Sequence, residues 1–453
     1  MKPGSVTRMI LLLASLSTAS PQNNPETDTV LAAARQKILA VTAQLRRYTC
    51  LETVDRQYFA SSVAAPKPGL TSPESCPAQT ILTQPPDRAA LASSDRLRLE
   101  VAVSDRHEIQ SWPGASRFES RRLNEIVGFG PTSSGAFGTY LVEVFDNPGA
   151  AIEFVKEKTV EGRRVFEYRF QIPLERSHYG IRVNGDWQTT GTSGSFEIAA
   201  ASADLGRFTI QTNLLPPGAE MCQAKTSLEY PAFSGGTKYL MPLKNEFQTV
   251  HPGSVRTESF GRFSSCHEYT SESTIRFDDE SAETAKTGPQ HSDAMTFPAG
   301  LPVSIKLTAP IDTATGAAGD VVIAGVTKAV LKPGSKMVLI PAGARMRGRI
   351  SEMRHFAKPS PHFQVGLVFE SVELRGVDTP VAMVRDRSTP PPDSRAQFNA
   401  YSASKALRQA PQDLNIPPPN AHDGGTFVVL TDKPVWVIPA GFESKWITLA
   451  PRP

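Results

Sequence analysis

The tripeptide Pro-Ala-Gly occurs at 298–300, 341–343 and 439–441, each time beside a run in which apolar residues alternate with others. No other feature restricts the last third of the chain as much. Proline presets φ for a turn, and glycine takes φ > 0 without a Cβ clash. Val303, Ile305 and Leu307, and again Ala344, Met346, Gly348 and Ile350, put every second side chain on one face, which predicts strands. The region is therefore expected to be β, with strands at 303–307, 321–326, 336–340, 344–351, 363–374, 379–384, 426–430 and 434–438. Arg385 to Gly425, with Pro390–Pro392 and Pro417–Pro419, reads as an inserted loop with a short helix at 402–408.

Upstream, Val30, Leu31, Ala34, Ile38, Val41 and Leu45 recur at helical spacing. They predict a packing helix running to about Arg47 and capped by Thr27 or Asp28. Leu97, Leu99, Val101 and Val103 alternate with polar residues, so a half-buried strand is expected there, followed by another at 107–112. A short helix is expected around Phe118–Val127. A second carries Phe137, Tyr140, Leu141, Val144 and Phe145, with Ser133 or Ser134 as its cap. Hairpins then run to Asp279: strands at 151–159, 163–171, 179–183, 194–199, 207–210, 224–230, 238–243, 245–250, 256–264 and 271–277, with Asn184-Gly185 as a type I′ turn. The predicted class is mainly β with a few helices (α+β). An antiparallel meander or half barrel with covering helices spans 20–280, a polar linker 281–296, and a small β-barrel-like domain 297–453 with the Pro-rich insertion at 385–425.

Compartment follows from the N-terminus and the cysteines. Lys2 and Arg8 precede the apolar run Met9–Leu16, and Ser17-Thr-Ala19 offers small residues for cleavage. Residues 1–19 thus have the pattern of a secretory signal peptide. No stretch is long enough to span a bilayer of about 30 Å once the leader is gone. Cys50, Cys76, Cys222 and Cys266 are widely spaced without a CxxC pair, which suits two disulfides in an oxidising compartment better than zinc. Three connectivities are open. Cys50–Cys266 with Cys76–Cys222 is preferred, since the first ties the beginning of the first domain to its end and the second pins a Pro-rich loop. Lys and Arg number 48 against 45 Asp and Glu; without Lys2 and Arg8 the balance is 46 to 45. A nearly neutral chain gives no electrostatic case for nucleic acid.

No catalytic set emerges. None of the eight histidines makes HExxH. His355 and His362 flank Lys358–Pro361 without a third ligand, and a solvated loop is the expectation there. Ser133-Ser134-Gly135 lacks the flanking glycines of a nucleophile elbow. Glu153, Glu157 and Glu161 lie along one strand and turn, on a solvated face. No catalytic residue, metal or cofactor is therefore assigned. Trp112, Trp187, Phe196 and Phe208 could line an apolar cavity in the meander or pack as ordinary core.

The strand order of 95–279, with the hairpin Gly194-Ser-Phe-Glu-Ile198 to Leu205-Gly-Arg-Phe-Thr-Ile210, resembles the LolA/LolB-like lipoprotein carriers. That resemblance implies a half barrel whose concavity takes acyl chains. Cys50-Leu-Glu-Thr53 and Ser264-Ser-Cys-His-Glu-Tyr269 are similar to the opening and close of a group of exported acidobacterial proteins, which implies that Cys50 and Cys266 pair. Pro298–Leu307, Ala318-Gly-Asp-Val321, Ile340-Pro-Ala-Gly343 and Val365–Glu370 resemble the conjugal-transfer TrbI family, which implies a β-barrel module. The functional expectation is an exported, non-enzymatic envelope protein that binds or scaffolds an envelope protein or lipid. Carriage of lipid or another apolar ligand is the alternative, and a hydrolase of another type the second alternative.

Overall fold

In the computed structural model the described residues are 25–61; 89–268 apart from 105–106, parts of 116–131, 217, 220, 232–240 and 252–254; 297–386 apart from 358–360; and 425–450. Outside them lie residues 1–19, expected as a leader, 62–88 with Cys76, positions 238–240, the strand expected at 271–277, the linker expected at 281–296, and 387–424 of the expected insertion with its expected helix.

The first half contains α1 (Pro25–Leu45), β1 (Tyr48–Ser61), β2 (Ala89–Ser104), β3 (His107–Ser111), α2 (Leu123–Val127), α3 (Thr139–Phe145), β4 (Ala151–Val160), β5 (Arg163–Ile172), β6 (Gly180–Val183), β7 (Asp186–Thr189), β8 (Thr192–Ala199), β9 (Leu205–Thr212), β10 (Gln223–Glu229), β11 (Lys244–Val250) and β12 (Arg256–Glu268). They pair antiparallel in the order β4-β5-β8-β9-β10-β11-β12-β1-β2-β3. This is the expected meander, with β1 closing on the last strand. Two-residue turns at Glu161-Gly162 and Asn184-Gly185 have φ > 0 at both positions, as type I′ hairpins require. Residues 241–243, expected as strand, precede β11 without joining it, and β7 was not expected. The disulfide Cys50–Cys266 ties β1 to β12 beside a register shift, next to Ser265 at φ 50°. Cys222 is disulfide-bonded as well.

The second half contains β13 (Pro302–Leu307), β14 (Ile311–Asp312), β15 (Val321–Val326), β16 (Val330–Leu331), β17 (Val338–Ile340), β18 (Arg345–Phe356), β19 (His362–Leu374), β20 (Val377–Pro380), β21 (Met383–Arg385), β22 (Gly425–Leu430), β23 (Val437–Ile438) and β24 (Glu443–Thr448). The ladder runs β22-β19-β18-β15-β13-β24-β21. Among the described residues no ladder joins β21 to β22, so the sheet curls without closing into a barrel. Arg385 bridges the seam: its guanidinium donates to the Thr426 carbonyl at 2.7 Å and lies 4.0 Å from the Phe427 ring centroid. The core inside the curl holds Val303, Ile305, Met346, Val365, Phe369 and Trp446. Trp446 belongs to β24, a strand the sequence reading missed. No helix among the described residues is long and apolar enough to cross a membrane.

The three Pro-Ala-Gly corners share one hydrogen-bond device. Gly300, Gly343 and Gly441 have φ of 85°, 84° and 84°. Each glycine N–H donates to the carbonyl of a strand-end residue: Thr448, Val326 and Leu307 respectively. That same residue's N–H returns a bond to the carbonyl following the corner, at Leu301, Ala344 and Phe442. The N–H of Ala344 and Phe442 also closes onto Pro341 and Pro439. Proline is therefore the first residue of the turn, and glycine the third, where φ > 0 is needed.

The two halves are joined by strand pairing. One edge of β1 takes β12 and the other β2. The free edge of β2 is divided: 100–104 pair with β3, and 93–95 pair with 354–356 of β18. Between these stretches, Arg98 N–H donates to the Ala318 carbonyl and Ala318 N–H to the Arg96 carbonyl, both at 2.8 Å. The result is one hydrogen-bonded sheet of 18 strands. At the seam, Arg56 holds Asp95 through two bonds of 2.7 Å, and Tyr58 adds a third at 3.2 Å. The Arg56 and Asp95 side chains are 2% and 5% exposed. Arg354, also buried, is register-opposed to Asp95. Gly130 covers this group, and a Cβ there would lie 2.2 Å from the Tyr58 hydroxyl.

Two stability predictions follow. Gly343→Ala and Gly441→Ala have open or ordinary space for the new Cβ, so the cost is conformational: each is expected to lower unfolding free energy by about 1–2 kcal/mol in urea titrations. Asp95→Ala removes the carboxylate that pairs the buried Arg56 guanidinium and is expected to cost on the order of 3–5 kcal/mol in the same measurement.

Candidate functional site

In an antiparallel sheet, directly paired residues share a face. On the helix-covered side of the meander this gives transverse rows. One runs Leu97, Val54, Gly261, Asn245, Leu228, Phe208, Phe196, Tyr168; another runs Asp95, Arg56, Ser259, Phe247, Thr226, Ile210, Gly194, Phe170. The face is thus aromatic toward β5, β8 and β9, and polar toward β1, β11 and β12.

The aromatic end is packed by the chain's own helices. α1 presents Ala34 and Ile38, and α3 presents Tyr140, Leu141, Val144 and Phe145, to this surface. Phe145 meets Phe196 edge-on at 4.9 Å, Tyr168 stacks on Phe196 at 5.2 Å, and Phe170 stacks on Phe208 at 5.8 Å. The Tyr168 hydroxyl donates to the Thr27 carbonyl at 2.8 Å and anchors the first turn of α1. That helix begins at Pro25, ahead of the expected caps, as suits a residue with no N–H to satisfy. Between α1, α3 and β2 a cleft of about 180 Å³ remains, lined by Leu39, Thr42, Arg46, Val103, Phe137 and Val142.

The four aromatics singled out from sequence do not converge. Phe196 and Phe208 are paired across β8 and β9 and fully buried in this core. Trp187 lies on the β6–β7 hairpin, 41% exposed. Trp112 lies at the junction of the halves, with the Arg349 guanidinium 5.8 Å from its ring centroid and Gly319 beneath it.

The polar end holds two carboxyls the sequence reading passed over. Glu52 on β1 is buried and accepts a bond of 3.4 Å from the Asn245 amide. Burial, reinforced by the neighbouring Glu108 and only partly offset by Asn245, pushes its pKa up to about 8. Glu108 on β3 accepts the N–H of Gly135 and of Phe137, both at 2.6 Å. Its desolvation outweighs these bonds and lifts it to about 7. Glu108 thereby does the work expected of Ser133 or Ser134. The N-cap of α3 is Gly138, without a side-chain cap, and a carboxylate from another strand holds the entering loop. Ser133 instead pairs with the Tyr140 hydroxyl at 2.8 Å. Tyr230 is buried beside Glu108, and its hydroxyl has no partner among the described residues.

The alternation around Cys50 carried the signal for this end. Cys50, Glu52, Arg56 and Tyr58 have the same parity, and all four are buried. His355 and His362, expected in a solvated loop, lie in β18 and β19. His355 stacks on Phe363 at 4.6 Å and His362 on Phe356 at 4.4 Å. The longer reach of β18, to Phe356 rather than 351, is what places them there. Among the described residues no group of three His, Cys, Asp or Glu side chains could hold a metal ion.

No family model and no curated protein matches the sequence. Solved structures do align. A LolA-superfamily protein of Nitrosomonas europaea superposes with a TM-score of 0.24 and 9% identity, over 51% of this chain and 92% of that one. A domain of Vibrio parahaemolyticus assigned as an outer membrane lipoprotein-sorting protein gives 0.26 and 11%, over 54% and 93%. ComB10 of the Com type IV secretion system of Helicobacter pylori gives 0.18 and 17%, over 34% and 88%. Each superposition covers only part of this chain.

A carboxyl whose folded pKa exceeds its unfolded value stabilises fully below the unfolded pKa, near 4.5, and loses that contribution as pH rises through the folded one. For Glu52 the window is about pH 4.5 to 8. Glu52→Gln is therefore expected to raise the melting temperature at pH 8 relative to the parent and to change it little at pH 4.5. Calorimetry across that range checks this.

Proposed function

We propose that the protein is a non-enzymatic binding and scaffolding module of a cell envelope, exported by its leader. The observation that carries this reading is the continuous sheet: β2 pairs with both β1 and β18, beside the buried Arg56–Asp95 pair, so both halves present their surfaces from one frame. The disulfides support an oxidising compartment. Both interior carboxyls are occupied by bonds to the chain itself, which favours a structural role over acid–base chemistry.

The expected outcome in cells is recovery in the envelope fraction, with chemical cross-linking joining the protein to another envelope protein in fixed stoichiometry. A chain that stays uncross-linked in that fraction contradicts the scaffold reading.

Carriage of an apolar ligand is the second reading, favoured by the cleft between α1 and α3. At about 180 Å³ that cleft is smaller than ligand pockets, commonly about 300–1,000 Å³, so an acyl chain requires the helices to part. Native mass spectrometry with added phospholipid decides: a bound lipid, lost on Ala43→Trp at the cleft, supports carriage, and an unliganded protein removes it.

A further inference from the structure

The hairpin formed by β16 and β17 enters the core only at its base. Val330 and Ile340 anchor its base in the interior, but residues 331–338 are exposed without interruption. Leu331, Met337 and Val338 are 47%, 51% and 50% exposed, and Leu331 and Val338 are direct cross-strand partners. Lys328, Lys332 and Lys336 flank them, and none makes an ion pair with a described residue. From 321 to 351 the chain has no Asp or Glu, although overall it is nearly charge-balanced.

The tip is internally braced. Lys332 N–H donates to the Met337 carbonyl at 2.9 Å, and Ser335 N–H to the Lys332 carbonyl at 3.0 Å. Met337 N–H donates to the Ser335 hydroxyl at 3.1 Å. Gly334 takes φ 70° at the turn. A convex, pre-ordered finger loses little freedom on docking. Lys332, Lys336 and Met337 lie in the turn and the Leu331–Val338 pair directly beneath it, with Lys328 behind; long lysine stems can extend back to headgroup level while the apolar groups beside them enter the acyl boundary.

We propose that this hairpin docks the protein onto an anionic phospholipid surface. Leu331, Met337 and Val338 insert, and Lys328, Lys332 and Lys336 engage lipid phosphates. A protein partner would have to offer a concave acidic, apolar-floored slot; a lipid headgroup layer meets the same finger without preformed shape. The proposal goes beyond the scaffold reading and does not depend on it, since a chain with no protein partner can still dock.

The test is co-sedimentation of the full chain with vesicles of phosphatidylcholine alone and of phosphatidylcholine mixed with phosphatidylglycerol. Binding to the mixed vesicles, weakened by salt and absent on phosphatidylcholine, is expected. Replacing Lys328, Lys332 and Lys336 together by Gln should weaken it by roughly tenfold to a hundredfold, from the usual attraction of a lysine to an anionic surface. Leu331→Ser with Met337→Ser should also weaken it, by severalfold. All five positions are exposed, so the fold should persist, which circular dichroism confirms. Lys37, Lys156 and Lys244 replaced together by Gln form the charge-matched control and should bind like the parent. No sedimentation with mixed vesicles, undiminished binding of the hairpin variants, or an equal loss in the control overturns the proposal.

Discussion

A carboxylate held by a guanidinium with almost no access to water is stable only where its geometry is nearly complete. Two charges taken out of water cost several kcal/mol each, roughly, and only close, multiply bonded pairing offsets this. Asp95 meets that demand with two bonds to Arg56 and one to Tyr58, with Arg354 opposite it in register. Arg56 and Tyr58 come from the first half and Arg354 from the second. The pairing of 93–95 with 354–356 therefore sets Arg354 of the second half, itself ion-paired with Glu352 at 3.0 Å, beside the ionic group of the first. A slip of one residue would move Asp95 to the opposite face.

On the outer face the same strand carries Arg96 and Arg98, which reach the 314–320 loop. Arg96 donates to the Ala314 carbonyl at 2.6 Å, and Arg98 pairs with Asp320. The seam is thus held from both faces of β2. It gives the curled second sheet and the meander a common frame, from which the β16–β17 hairpin projects.

Local chemistry was legible in the sequence, and long-range pairing was not. The Pro-Ala-Gly corners, the type I′ turn at Asn184-Gly185 and the apolar faces of α1 and α3 follow from residues a few positions apart, and all appear in the structure. The corners also hold a detail that spacing does not reveal: proline opens the turn, and the glycine N–H reaches a different strand. The join of β2 to β18 leaves no local mark, because its partners are some 260 positions apart and any alternating run can accept any other. Glu52 and Arg56 were readable from the parity of Cys50, but charged residues in a strand are normally assigned to the solvated face. Ser133 failed as a cap because Glu108, distant in sequence, competes for the same N–H groups.

The central claim is that both halves unfold and move as one body through the β2–β18 seam. Hydrogen–deuterium exchange read by mass spectrometry tests it directly, on peptides covering 89–104 and 345–357. The account predicts that both exchange as slowly as the core strands β5 and β19, and that Asp95→Asn accelerates both together. Rapid exchange at 352–357 while β5 and β19 stay protected would show two bodies merely in contact, and would contradict it.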